Sequence, residues 1–467
     1  MTAPGVVHYQ AAIRNGATGF LVVLTAIALA LRLAHVANVA AYERAHVVPG
    51  LDRWLDMEIA DAVAGGDVLG GPLAPYDSAP AYGVLLGLAY RVFGRESAGP
   101  LVVQALLGAM VPLLLYAAGR RLGSARVGLA AAALGAVYVP AIFYEGLTVK
   151  FALVPFAFAA LLWALAAGAA VAAGAATAFA VALRPNAIVA LPLGLVWIAS
   201  RSEARSATRT ILLFAIGLVV VAAPLALRRS LAAERGDAAS LWGIHFYVGS
   251  QPRGDGGYTQ VVGVSDDVFG HVDDARAVAE ASRGRPLTPG EVSRYWFGRG
   301  IDEITRDPGG YVRLLGRKVR RIVAPGEEND FGDEWAEYAA RSAALRAGIG
   351  FGTVAPLAAL GLLIAVARRS ALLWSAALAA AYVVTLLLFF VTGRYRLPLV
   401  PPFLLLAGAG LVWLADVWRT RRPVALAVAA VLVAGAAAIG VPGGDVARLA
   451  ILAVAAVVLL PPVTAGE

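Results

Sequence analysis

A succession of apolar runs, several of them long enough to cross a bilayer and most closed by Arg, Gly or Pro, constrains this 467-residue chain more than any other feature. A spanning helix needs about 20 predominantly apolar residues. Runs of that kind lie at about 17–38, 97–119, 125–143, 149–167, 169–184, 186–200, 208–227, 346–367, 371–391, 398–416, 423–440 and 447–462. They are built of Ala, Leu and Val, with Gly as the small residue that lets helices approach closely. Hydrophobic residues make up 60% of the chain and charged residues 15%, whereas soluble domains are about half apolar and a quarter charged. The expectation is an all-α polytopic membrane protein of about twelve transmembrane helices. Segment 79–94 is apolar but short, lies between Pro80 and Gly94, and reads as an interfacial helix. Gly168 and Pro185 mark either kinks or turns within 149–200.

Arg in short loops sets the orientation, because cytoplasmic loops carry the excess of positive charge. Arg120, Arg121 and Arg126, then Arg201, Arg205 and Arg209, then Arg368 and Arg369, then Arg419, Arg421 and Arg422 all fall on one side. That side is the cytoplasm, and both termini belong there. Two large extracytoplasmic loops follow, about 39–96 and 228–345, each expected to carry interfacial helices. The chain divides into an N-terminal transmembrane module with the first outer loop (1–227), an extracytoplasmic region (228–345) and C-terminal helices (346–467). The first apolar run is span-length without a convincing small-residue cleavage site after it, so it reads as a spanning helix rather than a signal peptide. The net charge of +8 is scattered over loops, so it is a topology signal, and no nucleic-acid partner is expected. The absence of Cys decides nothing.

The polar residues that break this pattern carry the chemistry. Carboxylates crowd the start of the first outer loop in Leu51-Asp52-Arg53-Trp54-Leu55-Asp56-Met57-Glu58-Ile59-Ala60-Asp61. On a helix Asp52 and Asp56 share a face, with Glu58 and Asp61 turned partly away. Lys150, Arg184 and the pair Arg394 and Arg396 fall at outer membrane ends, where cations are disfavoured by the topology rule. Lys is nearly absent, with only Lys150 and Lys318. Ionisable groups at membrane depth usually face an interior cavity; the bland alternative is that they snorkel to headgroups. Arg presents a planar fork to phosphate oxygens and Lys a point charge, so the set suits an anionic lipid phosphate.

In these residues the chain resembles the C-type glycosyltransferases of the protein O-mannosyltransferase and aminoarabinose-transferase group, family 39. The resemblance runs through Asp52 eight residues before Ala60, Pro80-Ala81-Tyr82 leading to Phe93-Gly94, Phe143-Tyr144-Glu145-Gly146 and Arg184-Pro185-Asn186. It continues in Gly243-Ile244-His245-Phe246-Tyr247-Val248-Gly249 and in Gly393-Arg394-Tyr395-Arg396-Leu397-Pro398. The segment Leu287 to Trp296 is similar to bacterial members without an assigned acceptor. The resemblance implies a bacterial inner-membrane enzyme with its site on the outer side. It would move one sugar from a polyprenyl-phosphate donor to an acceptor protein, lipid or glycan among the membrane lipids.

In that family a first-loop Asp takes the acceptor proton and the configuration at the sugar inverts. The role carries to Asp52. Arg53 and Trp54 follow it where the family usually has an acidic or aromatic residue, which leaves Asp56 as a rival. A carboxylate partly desolvated beside the membrane is expected to have a raised pKa and so to be a better base. Lys150, Arg184, Arg394 and Arg396 are the candidates for the donor phosphate. Glu145 is the second acidic position, near phosphate or metal, unless it simply pairs with Lys150. Mg²⁺ or Mn²⁺ held by carboxylates and phosphate oxygens is compatible with this chemistry, whereas the five His have no zinc-like spacing. His245, Tyr247 and Tyr258, in a Gly- and aromatic-rich stretch, are candidates for packing against the sugar or acceptor; an ordinary surface turn is the plain alternative. Glu327 or Glu328 would line the acceptor side or form a solvated turn.

Two other classes remain. An O-antigen ligase or polymerase would use pyrophosphate-linked glycans. A lipid or sugar transporter would usually show two related halves with matched interrupted helices, and no internal repeat is evident.

Overall fold

The computed structural model describes residues 4–45, 52–76, 79–201, 204–234, 241–326, 334–421, 423–424, 427–432 and 447–448. Within them the chain is helical and forms no strand; its one β-bridge joins Tyr138 to Ile349. The helices are α1 (Pro4–Ala45), α2 (Asp52–Ala64), α3 (Ala81–Phe93), α4 (Gly99–Leu122), α5 (Ala125–Ala136), α6 (Val139–Glu145), α7 (Val154–Ala167), α8 (Ala170–Leu183), α9 (Ala190–Arg201) and α10 (Ala204–Ala233). An outer group follows: α11 (Trp242–Ser250), α12 (Val268–Arg283), α13 (Pro289–Arg306), α14 (Pro308–Val323), α15 (Glu334–Arg341) and α16 (Ala343–Ala347). The last three are α17 (Phe351–Ala367), α18 (Leu373–Leu388) and α19 (Val400–Thr420).

Five helices among the described residues are long and apolar enough to cross a membrane: Thr18–Ala45, Gly99–Leu122, Lys150–Ala167, Ser206–Ala233 and Gly393–Thr420. Six apolar helices of 10–17 residues stand beside them. The chain is an all-α, multi-pass membrane protein. The expected spans at 423–440 and 447–462 lie mostly outside the described residues, as do Glu327 and Glu328. One expected span is broken rather than continuous. The run at 125–143 splits into α5 and α6, because Val139 N–H donates to Ile349 O and Ile349 N–H to Val137 O, both at 2.9 Å. Gly168 takes a left-handed conformation (φ 68°) that caps α7 and turns the chain into α8. The segment 242–250, expected as loop, is helix α11.

Close helix approach depends on glycine, as expected where lipid supplies no hydrophobic drive between helices. A Cβ at Gly83 would lie 2.6 Å from Ile59 Cγ2, and one at Gly87 would lie 2.6 Å from Val63 Cβ. These contacts dock α3 on α2, the helix that begins with Asp52.

A buried charge network anchors the other side of α2. Glu43, fully buried near the end of α1, accepts from Arg53 Nη2 and from the Tyr338 hydroxyl. Its second oxygen accepts the Thr148 backbone N–H at 2.7 Å. Arg53 also reaches Glu334 at 2.7 Å. One carboxylate therefore ties α1, α2, α15 and the turn before Lys150. Removing one member of such a network strands a buried charge, at a cost of roughly 3–5 kcal/mol. Glu43→Ala should lower the thermal unfolding midpoint in detergent clearly; an unchanged midpoint would refute the anchoring role.

The outer group has its own small core of Ile244, Val248, Ala275, Leu287, Tyr295 and Trp296, with Phe390 from the segment after α18. Lys318 on α14 fastens it: its buried ammonium donates to Gly249 O and Leu387 O, both at 2.6 Å. Burial pulls Lys318 down to about 7.

Candidate active site

Three apolar helices are preceded by short 3-10 segments, and a cation lies in or immediately before each. Lys150 begins the Lys150–Leu153 turn before α7, Arg184 immediately precedes Pro185–Val189 before α9, and Arg394 lies in Gly393–Leu399 before α19. Pro155, Pro185 and Pro401 sit in the first turns of these segments or of the helices they lead into. Proline is tolerated there because the first turn lacks an intrahelical partner for its N–H. The same break in regular structure brings the cations into one place.

Asp52 is the anion they meet. Its Oδ2 accepts from Arg394 Nη1 at 3.0 Å, and its Oδ1 lies 3.9 Å from Lys150 Nζ. Asp56, one helical turn on, lies 3.9 Å from the same Lys150 Nζ. The shared face expected for the two carboxylates is thus the one turned to Lys150. Asp61 points elsewhere and pairs with Arg95 at 2.9 Å. The Asp52 side chain is 33% exposed and that of Asp56 only 1%, so solvent reaches the first and not the second.

Aromatic rings fix the guanidinium groups. Arg184 lies 4.0 Å from the Tyr395 ring centroid and 4.9 Å from that of Phe151, and Arg394 lies 4.9 Å from Phe151. Cation–π contacts of this kind hold a cation without neutralising it.

The expected rise in the Asp52 pKa is reversed. Burial pushes the carboxyl up, but Lys150, Arg394 and Arg184 together outweigh it and hold the group well below the usual carboxylate range. Desolvation alone raises a carboxyl, but cations from three other segments surround this particular Asp and reverse the sign. His245 belongs to the same neighbourhood, its ring 5.6 Å from that of His271 and its proton affinity affected by Asp52. Burial and the neighbouring His271 bring His245 down to about 3, so it is neutral at physiological pH.

Other candidates are engaged elsewhere. Glu145 pairs with Arg32 at 2.6 Å, both side chains being buried, so its ion pair is with α1 rather than with Lys150. Arg396 donates to Ala324 O and Gly326 O and stacks over Phe351, closing α14 onto α17 instead of facing Asp52. Tyr247 packs on Trp296, and Tyr258 donates to Asp266 at 3.0 Å beside Phe390. Sequence reasoning missed Glu43, Arg32 and His271. Arg32 was signalled as an ionisable residue inside the span-length run at 17–38, whereas Glu43, just beyond that run, and His271 had no such signal. On metal, no group of three or more His, Cys, Asp and Glu side chains that could hold an ion comes together among the described residues. Asp52 and Asp56 both face Lys150 at 3.9 Å, so an ammonium group already lies against the two carboxylates a divalent cation would use.

A separate cleft of about 210 Å³ opens on the other face of α2, lined by Arg44, Trp54, Glu58, Tyr90, Arg95 and Thr148 among others.

The fold is similar to that of the Archaeoglobus fulgidus oligosaccharyltransferase in the apo form, with 14% identity, 96% of this chain and 57% of that chain covered, and a TM-score of 0.46. It is also similar to the archaeal oligosaccharyltransferase AglB from Archaeoglobus fulgidus in complex with an inhibitory peptide and a dolichol-phosphate, with 15% identity, 95% and 56% covered, and a TM-score of 0.44. The chain spans little more than half the length of these structures. No family model matches the sequence, and no curated protein matches it.

Proposed function

We propose that this protein is a membrane glycosyltransferase that moves one sugar from a polyprenyl-phosphate donor to an acceptor hydroxyl or phosphate, with inversion. The observation that carries the reading is the seating of Asp52 between Arg394 and Lys150, with Arg184 beside them. That arrangement gathers a base and three cations suited to phosphate around one partly exposed carboxylate. Asp52 takes the proton of the acceptor hydroxyl as its oxygen forms the bond to the anomeric carbon. The bond from that carbon to the phosphate oxygen breaks, and polyprenyl phosphate leaves with the electron pair. Lys150, Arg184 and Arg394 stabilise the charge growing on the phosphate, as preorganised donors do. Asp56 stays against Lys150 and fixes its position. His245, neutral and close enough to Asp52 to feel its charge, serves the sugar side. Glu145 and Arg396 support the frame.

We place the site on the extracytoplasmic face of a bacterial inner membrane. Arg394 lies before α19 and Arg419 near its end, and α19 itself runs about 30 Å at 1.5 Å rise per residue. Arg126 joins Asp416 near that far end at 2.6 Å, where the Arg-rich loops gather.

The test is a donor comparison on the purified full chain. Polyprenyl-monophosphate sugars should be consumed with release of polyprenyl phosphate. Consumption of pyrophosphate-linked glycans alone would replace this reading with the ligase or polymerase alternative.

A further inference from the structure

Asp52 uses both of its oxygens on the two cations that the donor phosphate needs, one on Arg394 at 3.0 Å and one facing Lys150 at 3.9 Å. A phosphate offers cations the same two-oxygen edge. The neighbouring Asp56 differs in the one respect that matters: it is sealed from solvent while Asp52 is not. An incoming anion therefore meets Asp52 first, and Lys150 keeps Asp56 as a counterion if Asp52 moves away.

We propose that Asp52 sits as an internal stand-in in the seat of the donor phosphate, and that the phosphate displaces it from Arg394 and Lys150, freeing it to act as the base. This rests on the donor reading above. A carboxylate clamped by Arg394 is a poor proton acceptor. Once phosphate takes up the cations, the influence that holds Asp52 down is weakened, and the phosphate's own negative charge favours the protonated form of a neighbouring carboxyl. The base is then active only when a donor is in place, so the acceptor is not activated in an empty site.

The test uses the full chain in detergent and farnesyl phosphate as the probe, with farnesol as the uncharged control. Displacement of a competing carboxylate couples the two sites, and such couplings amount to about 5–150-fold. Asp52→Asn should bind farnesyl phosphate about tenfold more tightly than wild type, in that range, with farnesol binding unchanged and Asp56→Asn showing a smaller gain. In the wild-type protein, farnesyl phosphate should raise carbodiimide labelling of Asp52 several-fold, which does not depend on any variant folding. Equal or weaker binding by Asp52→Asn, or labelling that falls when phosphate binds, overturns the displacement while leaving the donor reading in place. A wild-type protein that binds farnesyl phosphate no better than farnesol overturns both.

Discussion

Replacing Asp52 with Asn should lower sugar transfer by about 10²–10⁴-fold, the usual contribution of a positioned general base, while the protein inserts and folds normally. The substitution keeps the size of the side chain and one oxygen for Arg394, but removes the proton acceptor. The network that anchors α2 runs through Arg53 and Glu43 rather than through Asp52, so the helix stays in place. The loss should fall on kcat, because donor binding is not weakened when a competing carboxylate is gone. Asp56→Asn provides the contrast. Its carboxyl is sealed against Lys150 and reaches no solvent-borne acceptor, so its effect should be smaller and tied to phosphate binding. An Asp56→Asn protein as inactive as Asp52→Asn would move the base to Asp56.

Arg394→Ala has the second largest expected effect. Arg394 is the cation in direct contact with Asp52, at 3.0 Å, and Phe151 lies against its guanidinium at 4.9 Å. Removing one preorganised donor to a developing anion lowers kcat by about 10²–10³-fold. Arg394→Lys should restore little of this, since an ammonium lacks the planar fork that meets two oxygens. Arg396→Ala is the internal control. Its guanidinium binds Ala324 O and Gly326 O, so the variant should lose stability and keep most of its specific activity per folded molecule. Activity changes in the opposite order would show that Arg396, not Arg394, meets the phosphate.

Much of this was legible in the sequence. Apolar runs of bilayer length led to the all-α membrane fold, since no other backbone arrangement satisfies its polar groups in lipid so locally. Asp52, Asp56, Lys150, Arg184 and Arg394 stood out because charge at a membrane edge is costly and has to be placed with purpose. What sequence could not show was which charge meets which. Glu145 lies only five residues from Lys150, yet it crosses to Arg32 on α1. Arg394 and Arg396 are two residues apart, and a 3-10 segment turns one toward Asp52 and the other toward α14. Local spacing does not encode such choices; packing between distant helices does. The pKa of Asp52 was misjudged for the same reason, since its sign depends on three cations from three other segments. Glu43, just past the first apolar run, organises four parts of the chain although nothing local marks it.

The most direct measurement is release of polyprenyl phosphate by the purified protein offered a panel of polyprenyl-monophosphate sugars, run beside Asp52→Asn. Turnover of one donor by wild type, with inverted configuration in the product and almost none from the variant, is the predicted result. Turnover by Asp52→Asn at the wild-type rate, or a product of retained configuration, would contradict the role assigned to Asp52.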